Sequence, residues 1–452
     1  MTVFLASALQ VTLIKAAQLI VSLSTIIILH ELGHFLPAKW FKCRVEKFML
    51  FFDAGFALFK KKIGETVYGI GWLPLGGYVK ISGMIDESLD KEALKQPPQP
   101  YEFRSKPAWQ RLIIMGGGVT MNVILAFFLF AVILQVWGDT VLPPANATYG
   151  LYVDSLGREL GLKYGDVILS YDGKPVKNEE KVVLDVFTHA ARNLQVMRNG
   201  EIVNIAVPDT FIGQLSHSHL ENFVDVNFPT IVRSVDTSAK IKEGSLNPGD
   251  RVFSLNGTLT PSFDSFSVTK GPFKNQVVDL GLIRGADTVY IKALLDSNGA
   301  VGFKPRLPDS ILNFVTTKYG FFSSFPAGVR KSAEVMSDYI AQLKLLFTNK
   351  HVKTQDSVGS VITIGNAFAS YWDWESLWRL TAFLSVILGF MNILPIPALD
   401  GGHILFLLVE MITGRKPGDR FMEVAQIVGM VLLLGLMAYA LGLDVFRIFR
   451  HH

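Results

Sequence analysis

The sequence predicts a polytopic α-helical membrane protein: four transmembrane helices, a membrane-associated β region, and two tandem β-rich modules outside the bilayer. Three observations lead there. Half of the 452 residues are hydrophobic, too many for an ordinary soluble enzyme. Four apolar stretches reach the ~20 residues a helix needs to cross a bilayer. Between the second and third lies a long, soluble-looking segment in which one short pattern occurs twice.

The first span lies within residues 1–38, and Lys15 is the only charge between Val11 and Leu29. No positively charged region precedes it, and it runs into His30-Glu31-Leu32-Gly33-His34 instead of a small-residue cleavage site. It is therefore expected to be a retained helix and not a signal peptide. Residues 39–111 follow, cytoplasmic or re-entrant. Thr66–Trp72 and Gly76–Ile81 are β-formers broken by glycines, which predicts strands dipping toward the first helix. The second span is 112–137. An amphipathic helix and connector occupy 309–374, where Val335, Tyr339, Leu343 and Leu346 recur at helical spacing. That helix either lies on the outer leaflet or packs on the β-rich modules. The third span is 377–400, 401–423 is a connector whose apolar piece Ile404–Ile412 continues the third helix or lies at the interface, and the fourth span is 424–446.

Within the outside segment, Leu162–Ile168 recurs as Leu246–Val252, 84 residues on, each copy with Gly-Asp at its centre and followed by Asp172-Gly173 or Asn256-Gly257. Both resemble the Leu-x-x-Gly-Asp-x-Ile turn of PDZ domains, so two PDZ-like modules are expected at 146–222 and 223–308. The Gly-Asp is foremost a structural turn and does not by itself show peptide binding.

Lysine and arginine placement orients the spans. Lys39, Lys42, Arg44, Lys47 and Lys60–Lys62, then Arg104, Lys106 and Arg111, then Arg415, Lys416 and Arg420, all fall on one side, expected to be cytoplasmic. Arg447 and Arg450 run weakly against this. The net charge of +4, without a basic tract among aromatics, argues against a nucleic-acid partner. Cys43 is the only cysteine, which excludes a cysteine-built metal site.

The chemistry concentrates at His30, Glu31 and His34. Two imidazoles and a carboxylate inside an apolar span are costly unless something pairs with them. His30 and His34 share one helix face, the HExxH spacing for holding Zn²⁺ with the intervening Glu31 as general base. A catalytic zinc site usually has a third protein ligand. Pro395 and Pro397 break the third helix, and Asp400-Gly401-Gly402-His403 follows at the same predicted depth. Asp400 is the favoured third ligand and His403 its competitor; singly, Asp400 is as good a cap as a ligand.

His30-Glu31-x-x-His34, Asn392-x-x-Pro395-x-Pro397-x-Leu399-Asp400-Gly401 and the tandem modules together resemble the site-2 protease family of intramembrane zinc metalloproteases, over nearly the whole chain and in the same order. Pro74-Leu75-Gly76-Gly77-Tyr78 and Gly118-x-x-x-Asn122 also match runs of that family. Two departures touch substrate contact: Phe51–Gly55 replaces a Gly-Phe-Gly element, and Gly359-Ser360 replaces Gly-Pro.

The resemblance implies a bacterial inner-membrane, multi-pass zinc endopeptidase, its site near the cytoplasmic face and its PDZ-like modules periplasmic. Its expected partners are the bilayer, pre-trimmed single-span proteins such as an anti-sigma factor of an envelope stress response, remnant signal peptides, and a peptide C-terminus at the PDZ-like modules. Asn392, Pro395 and Pro397 are candidate substrate contacts carried over from the motif. A spanning helix hides its carbonyls in its own hydrogen bonds, so a substrate has to unwind before attack. A β edge in Val45–Ile81 would pair with the unwound strand, and Gly69 and Gly71 are its candidate residues. The rival classes are a non-catalytic membrane-anchored scaffold with a structural metal and a metal-ion transporter; neither needs Glu31.

Overall fold

The computed structural model describes residues 8–74, 76–84, 97–218, 220, 223–237, 239–353 and 360–450. Leu75, Gly359, the expected module boundary at 222 and the terminal His451–His452 lie outside them. The chain forms two compact units: Met1–Gly138 with Lys318–Ile340 and Val358–His452, and Asp139–Thr317 with Ala341–Ser357.

The first unit is helical. Helices α1 (Ala8–Trp40), α2 (Ala108–Val136), α5 (Trp374–Ile393) and α7 (Asp419–Arg450) are long and apolar enough to cross a membrane. Three further helices belong to the chain's second half: α3 (Phe321–Thr348), α4 (Val361–Asn366) and α6 (Asp400–Thr413). The apolar core is Ile26 of α1 against Leu125, Leu129, Phe130 and Ile133 of α2 and Leu377, Leu384 and Val386 of α5. No hydrophobic effect drives helices together inside lipid, so close backbone packing has to. Gly33 and Gly117 supply it: a Cβ on Gly33 would stand 2.3 Å from the Gly117 carbonyl oxygen. Buried hydroxyls add interhelical bonds, with Thr381 Oγ1 donating to Ser22 Oγ at 3.0 Å and Ser385 Oγ to the Asn122 carbonyl at 2.8 Å.

Several boundaries differ from the hydropathy reading, α7 among them, which runs from Asp419 to Arg450. Helix α2 starts at Ala108 because its first turn is polar yet helical, directly after Pro107. Helix α5 starts at Trp374, capped by Asp373, and ends at Ile393, since Pro395 and Pro397 cannot continue it. The apolar piece after it is not a continuation or a connector: α6 is a separate 14-residue helix that begins at Asp400.

A four-stranded sheet follows α1: β1 (Val45–Leu50), β2 (Phe52–Ile63), β3 (Thr66–Leu73) and β4 (Tyr78–Ile81), in the order β2-β3-β1-β4. Strands β1 and β3 run parallel and the other pairs antiparallel. This corrects one expectation. Gly69 and Gly71 stand in β3, an inner strand, and so offer no free edge; Gly69 pairs with Met49 on one side and Lys60 on the other. Their lack of a side chain serves close packing, since a Cβ on Gly71 would lie 2.2 Å from the Phe52 carbonyl oxygen. The outer strands are β2 and β4.

Helix α3 meets the module-packing alternative in its last turns, where Leu345 and Leu346 join the apolar core of Ile168 and Leu194 and Gln342 Nε2 donates to Thr188 Oγ1 at 3.3 Å; its earlier turns add a contact the sequence did not suggest. From Gly328 to Tyr339 it packs on membrane helices: a Cβ on Gly328 would meet the Ala131 nitrogen at 2.6 Å, and Tyr339 lies edge-on to Phe390. Its aromatic start, Phe321, Phe322 and Phe325, is exposed.

The second unit is β-rich. Strand Asp139–Val141 pairs antiparallel with Val315–Thr317, so the two ends of the longer segment of this unit lie side by side. Two separate apolar cores follow. One is built on Ile168, Leu194, Val196 and Phe223, the other on Val252, Leu280, Leu282 and Ile291. Strand Val224–Val226 pairs with Leu151–Val153, which joins it to the first core and not to the second.

The repeated Gly-Asp has the same structure in both copies. Asp166, 1% exposed, accepts from the Lys163 N–H and from both Nε and Nη2 of Arg198 at 2.8 and 2.6 Å. Asp250, also 1% exposed, accepts from the Asn247 N–H and from Nε and Nη2 of Arg284 at 2.8 and 2.7 Å. Each arginine then donates to a carbonyl of the preceding loop, Gly161 or Ser245. The aspartate ties a turn to a strand by a two-pronged charged bond.

Candidate metal centre

His30 and His34 sit on successive turns of α1 and face α2. Room for them exists because residue 118 of α2 is glycine: a Cβ there would lie 2.3 Å from His34 Nε2 and 2.7 Å from His30 Cε1. Each ring is held through its far nitrogen. His34 Nδ1 lies 2.9 Å from the Ile114 carbonyl, which can only accept, so Nδ1 carries the hydrogen and Nε2 keeps its lone pair. His30 Nδ1 lies 3.2 Å from the side-chain amide of Asn122, a residue 1% exposed whose assigned Oδ1 has no hydrogen-bond partner. Exchanging the amide O and N, which are assigned by network, lets Oδ1 accept from His30 Nδ1–H and leaves that Nε2 free as well.

Asp400 arrives from the other end of the chain. Pro395 and Pro397 stop α5, the turn passes through Ala398 at φ 80°, and Asp400 is the first residue of α6. The far end of α6 is tied to α2 by the Arg111–Glu410 ion pair, and Arg111 also donates to the Lys106 carbonyl at 2.9 Å. Asp400 Oδ2 lies 3.3 Å from His30 Nε2 and 3.3 Å from His34 Nε2, and the two Nε2 atoms are 3.3 Å apart. Oδ2 is buried, and no hydrogen-bond partner for it exists among the described residues.

That equilateral triangle fits a metal. Three donors about 2.0–2.1 Å from a tetrahedral zinc stand ~3.3–3.4 Å from one another. Three lone-pair donors aimed at one point, with an orphaned carboxylate oxygen among them, are costly without a cation. Among the described residues these three are the group whose ligand atoms converge; His403, the competing candidate, does not join them.

Glu31 is on the same helix, 9% exposed, with its Cγ 3.4 Å from where a Cβ of Gly77 would stand, in the approach to β4. Asn392 Nδ2 is 3.5 Å from His30 Nε2, at the edge of the site. Pro395 and Pro397 shape the turn, and Gly69 and Gly71 belong to the sheet. The holding contacts of Ile114 and Asn122 were not assigned from sequence. A backbone carbonyl leaves no sequence signal, but an asparagine in the apolar run Val119–Trp137 does.

The model of "Peptidase family M50" matches residues 18–436. A protein of Treponema pallidum named as a zinc metalloprotease is 28% identical over 448 residues, 93% of this chain and 96% of that one. A protein of the same name from Fusobacterium nucleatum is 28% identical over 433 residues, 95% and 98% of the two chains. "Protease RseP" of Yersinia pestis is 26% identical over 457 residues, 96% and 98%. The chain belongs to peptidase family M50, the site-2 family its motifs resemble, and is a zinc metalloprotease of the site-2 type.

Proposed function

We propose that this member of peptidase family M50 hydrolyses peptide bonds within transmembrane segments of single-span proteins already trimmed outside the bilayer, with His30, His34 and Asp400 as zinc ligands and Glu31 as general base. The observation that carries it is the 3.3 Å triangle of two imidazole nitrogens and an orphaned carboxylate oxygen inside helices of membrane-crossing length. Zinc, when bound, supplies Lewis acidity toward a water and a peptide carbonyl. Ile114 and Asn122 hold the imidazoles in the tautomer that keeps both Nε2 atoms available. Glu31 takes the proton from the attacking water and hands it to the leaving amine nitrogen. Asn392 offers an amide to the substrate backbone beside the scissile bond.

An unwound substrate needs backbone partners. With β3 enclosed, that role passes to an outer strand, and β4 is the better candidate because Gly77 at its approach adjoins Glu31. The charge pattern supports a cytoplasmic-side site and an outside β-rich unit, in a bacterial inner membrane. In that unit the two Asp–Arg turns support a pair of PDZ-like modules that exclude untrimmed substrates by size or bind a fresh C-terminus. An anti-sigma factor and remnant signal peptides are the proposed substrates.

Glu31→Gln in a cleavage assay on a single-span substrate tests this. Expected is loss of cleavage with zinc retained, whereas His34→Ala loses both. Full cleavage by Glu31→Gln would overturn the hydrolase reading and return the scaffold or transporter to consideration.

A further inference from the structure

Helix α7 contributes no ligand to the triangle, yet it touches the turn that delivers Asp400. Between Val424 and Leu443 its side chains are apolar except Gln426 and Tyr439. A carboxamide in such a span is costly unless it is paired. Gln426 is buried, 7% exposed, and its Oε1 accepts from the Ala398 backbone N–H at 3.3 Å. Ala398 is the residue with φ 80°, a conformation that residues with a Cβ rarely adopt. Gly429, three residues along α7 and so on the same face, lets Pro397 come close: a Cβ there would stand 1.8 Å from the Pro397 carbonyl oxygen. Two adjacent residues of one turn are thus seated against one face of the last helix, two and three positions before Asp400.

We propose that Gln426 is a positioning residue of the metal centre: its side-chain oxygen holds the Ala398 amide in the left-handed turn, and that turn sets the direction from which Asp400 Oδ2 meets His30 and His34. The proposal rests on the reading of those three residues as zinc ligands. Without the Gln426 oxygen, Ala398 relaxes toward negative φ, Asp400 enters α6 from a different angle, and the triangle opens.

The test uses the full-length protein in lipid nanodiscs, stripped of metal and titrated with zinc against a competing fluorescent chelator. Gln426→Leu keeps the size and removes the acceptor; zinc affinity should fall ten- to a hundredfold, the usual cost of losing an outer partner of a metal ligand. Gln426→Glu, which keeps an oxygen at the same reach, should recover most of that loss. Gly429→Ala, which presses on the Pro397 carbonyl without touching Gln426, should give a loss like that of Gln426→Leu. The zinc-free thermal transition of Gln426→Leu should match the unmodified protein; a fall there equal to the change in zinc affinity would mark a merely structural role and overturn the proposal. It is also overturned if Gln426→Leu and Gly429→Ala bind zinc as tightly as the unmodified protein while Asp400→Ala does not, an outcome that leaves the ligand assignment standing. Undiminished zinc affinity in Asp400→Ala would instead refute the ligand assignment itself.

Discussion

Asp250 in the β-rich unit, 1% exposed, and Asp400 in the helical unit, whose side chain is 14% exposed but whose Oδ2 is buried, both keep carboxylate oxygen from water, and the chain treats them in opposite ways. Asp250 is saturated: the Arg284 fork and the Asn247 N–H take its oxygens, and the arginine holds its carboxyl below the usual range. Asp400 has two imidazole nitrogens at 3.3 Å and an oxygen with no hydrogen bond. Burying an ion without a partner is expensive, so a fold keeps one only where something outside the chain completes it. Depth therefore does not separate structural from functional acids here; internal satisfaction does. Glu179 is a third case. It is 2% exposed, its oxygens lack hydrogen-bond partners among the described residues, and burial pushes its carboxyl up to about 8, so at neutral pH it stays protonated. An arginine, the proposed metal and a proton are three answers to one electrostatic problem.

The contrast breaks most sharply at Asp400. Asp400→Leu should lose zinc by more than the ~100-fold that an outer partner costs, and lose cleavage with it. In the zinc-free state it should be at least as stable as the unmodified protein, because an uncompensated carboxylate is gone. A lower zinc-free melting temperature would mean that Asp400 is as structural as Asp250. The converse experiment is Asp250→Ala. It removes the acceptor that ties the turn to Arg284 and the Asn247 N–H, and should lower the denaturant midpoint of the β-rich unit with zinc content unchanged. Asp166→Ala should lower it about as much, and a clear difference would show that the repeats are not energetically equivalent. Asn122→Leu leaves His30 without its far-side partner and should weaken zinc binding roughly tenfold or more; unchanged affinity would show that the contact orients nothing. Glu179 tests the comparison through pH. Burial raises its folded-state pKa from the ordinary carboxyl value of 4.5 to about 8, so the folded state holds the extra proton between those pH values. Stability is full below that window and declines as pH rises through it, by at most about 1.4 kcal/mol per pH unit. Unfolding of the β-rich unit followed from pH 5 to 8 should show this slope in the unmodified protein and lose it in Glu179→Gln. A slope that survives the substitution would assign it to another group.

The convergence of His30, His34 and Asp400 and the four helices of membrane-crossing length were legible in the sequence because both are written in local patterns. A five-residue motif carries two of the converging side chains and the proposed base, and an apolar run of bilayer length carries a helix. Asp400 was legible because prolines mark the end of α5, although not that α6 would begin on it. What could not be read were pairings across the chain. Nothing local tells β3 from an outer strand, so Gly69 and Gly71 were assigned to an edge they do not form. The same distance hid the Arg198 and Arg284 forks, more than thirty residues after their aspartates. It also hid the seat of Gly328 on Ala131, which adds packing on the spans to the module packing that Leu345 and Leu346 make.

One feature of the β-rich unit bears on how such a chain could have grown. Its first and last strands, Asp139–Val141 and Val315–Thr317, are hydrogen-bonded neighbours, joined also through Thr140 and Thr316 hydroxyls 2.9 Å apart. An insertion whose ends already touch adds little closure entropy to the host, whatever its length. Duplicating a module between those ends lengthens the insert without moving either end. Both Asp–Arg turns lie between those paired strands, so either repeat can change in length or number without moving the ends.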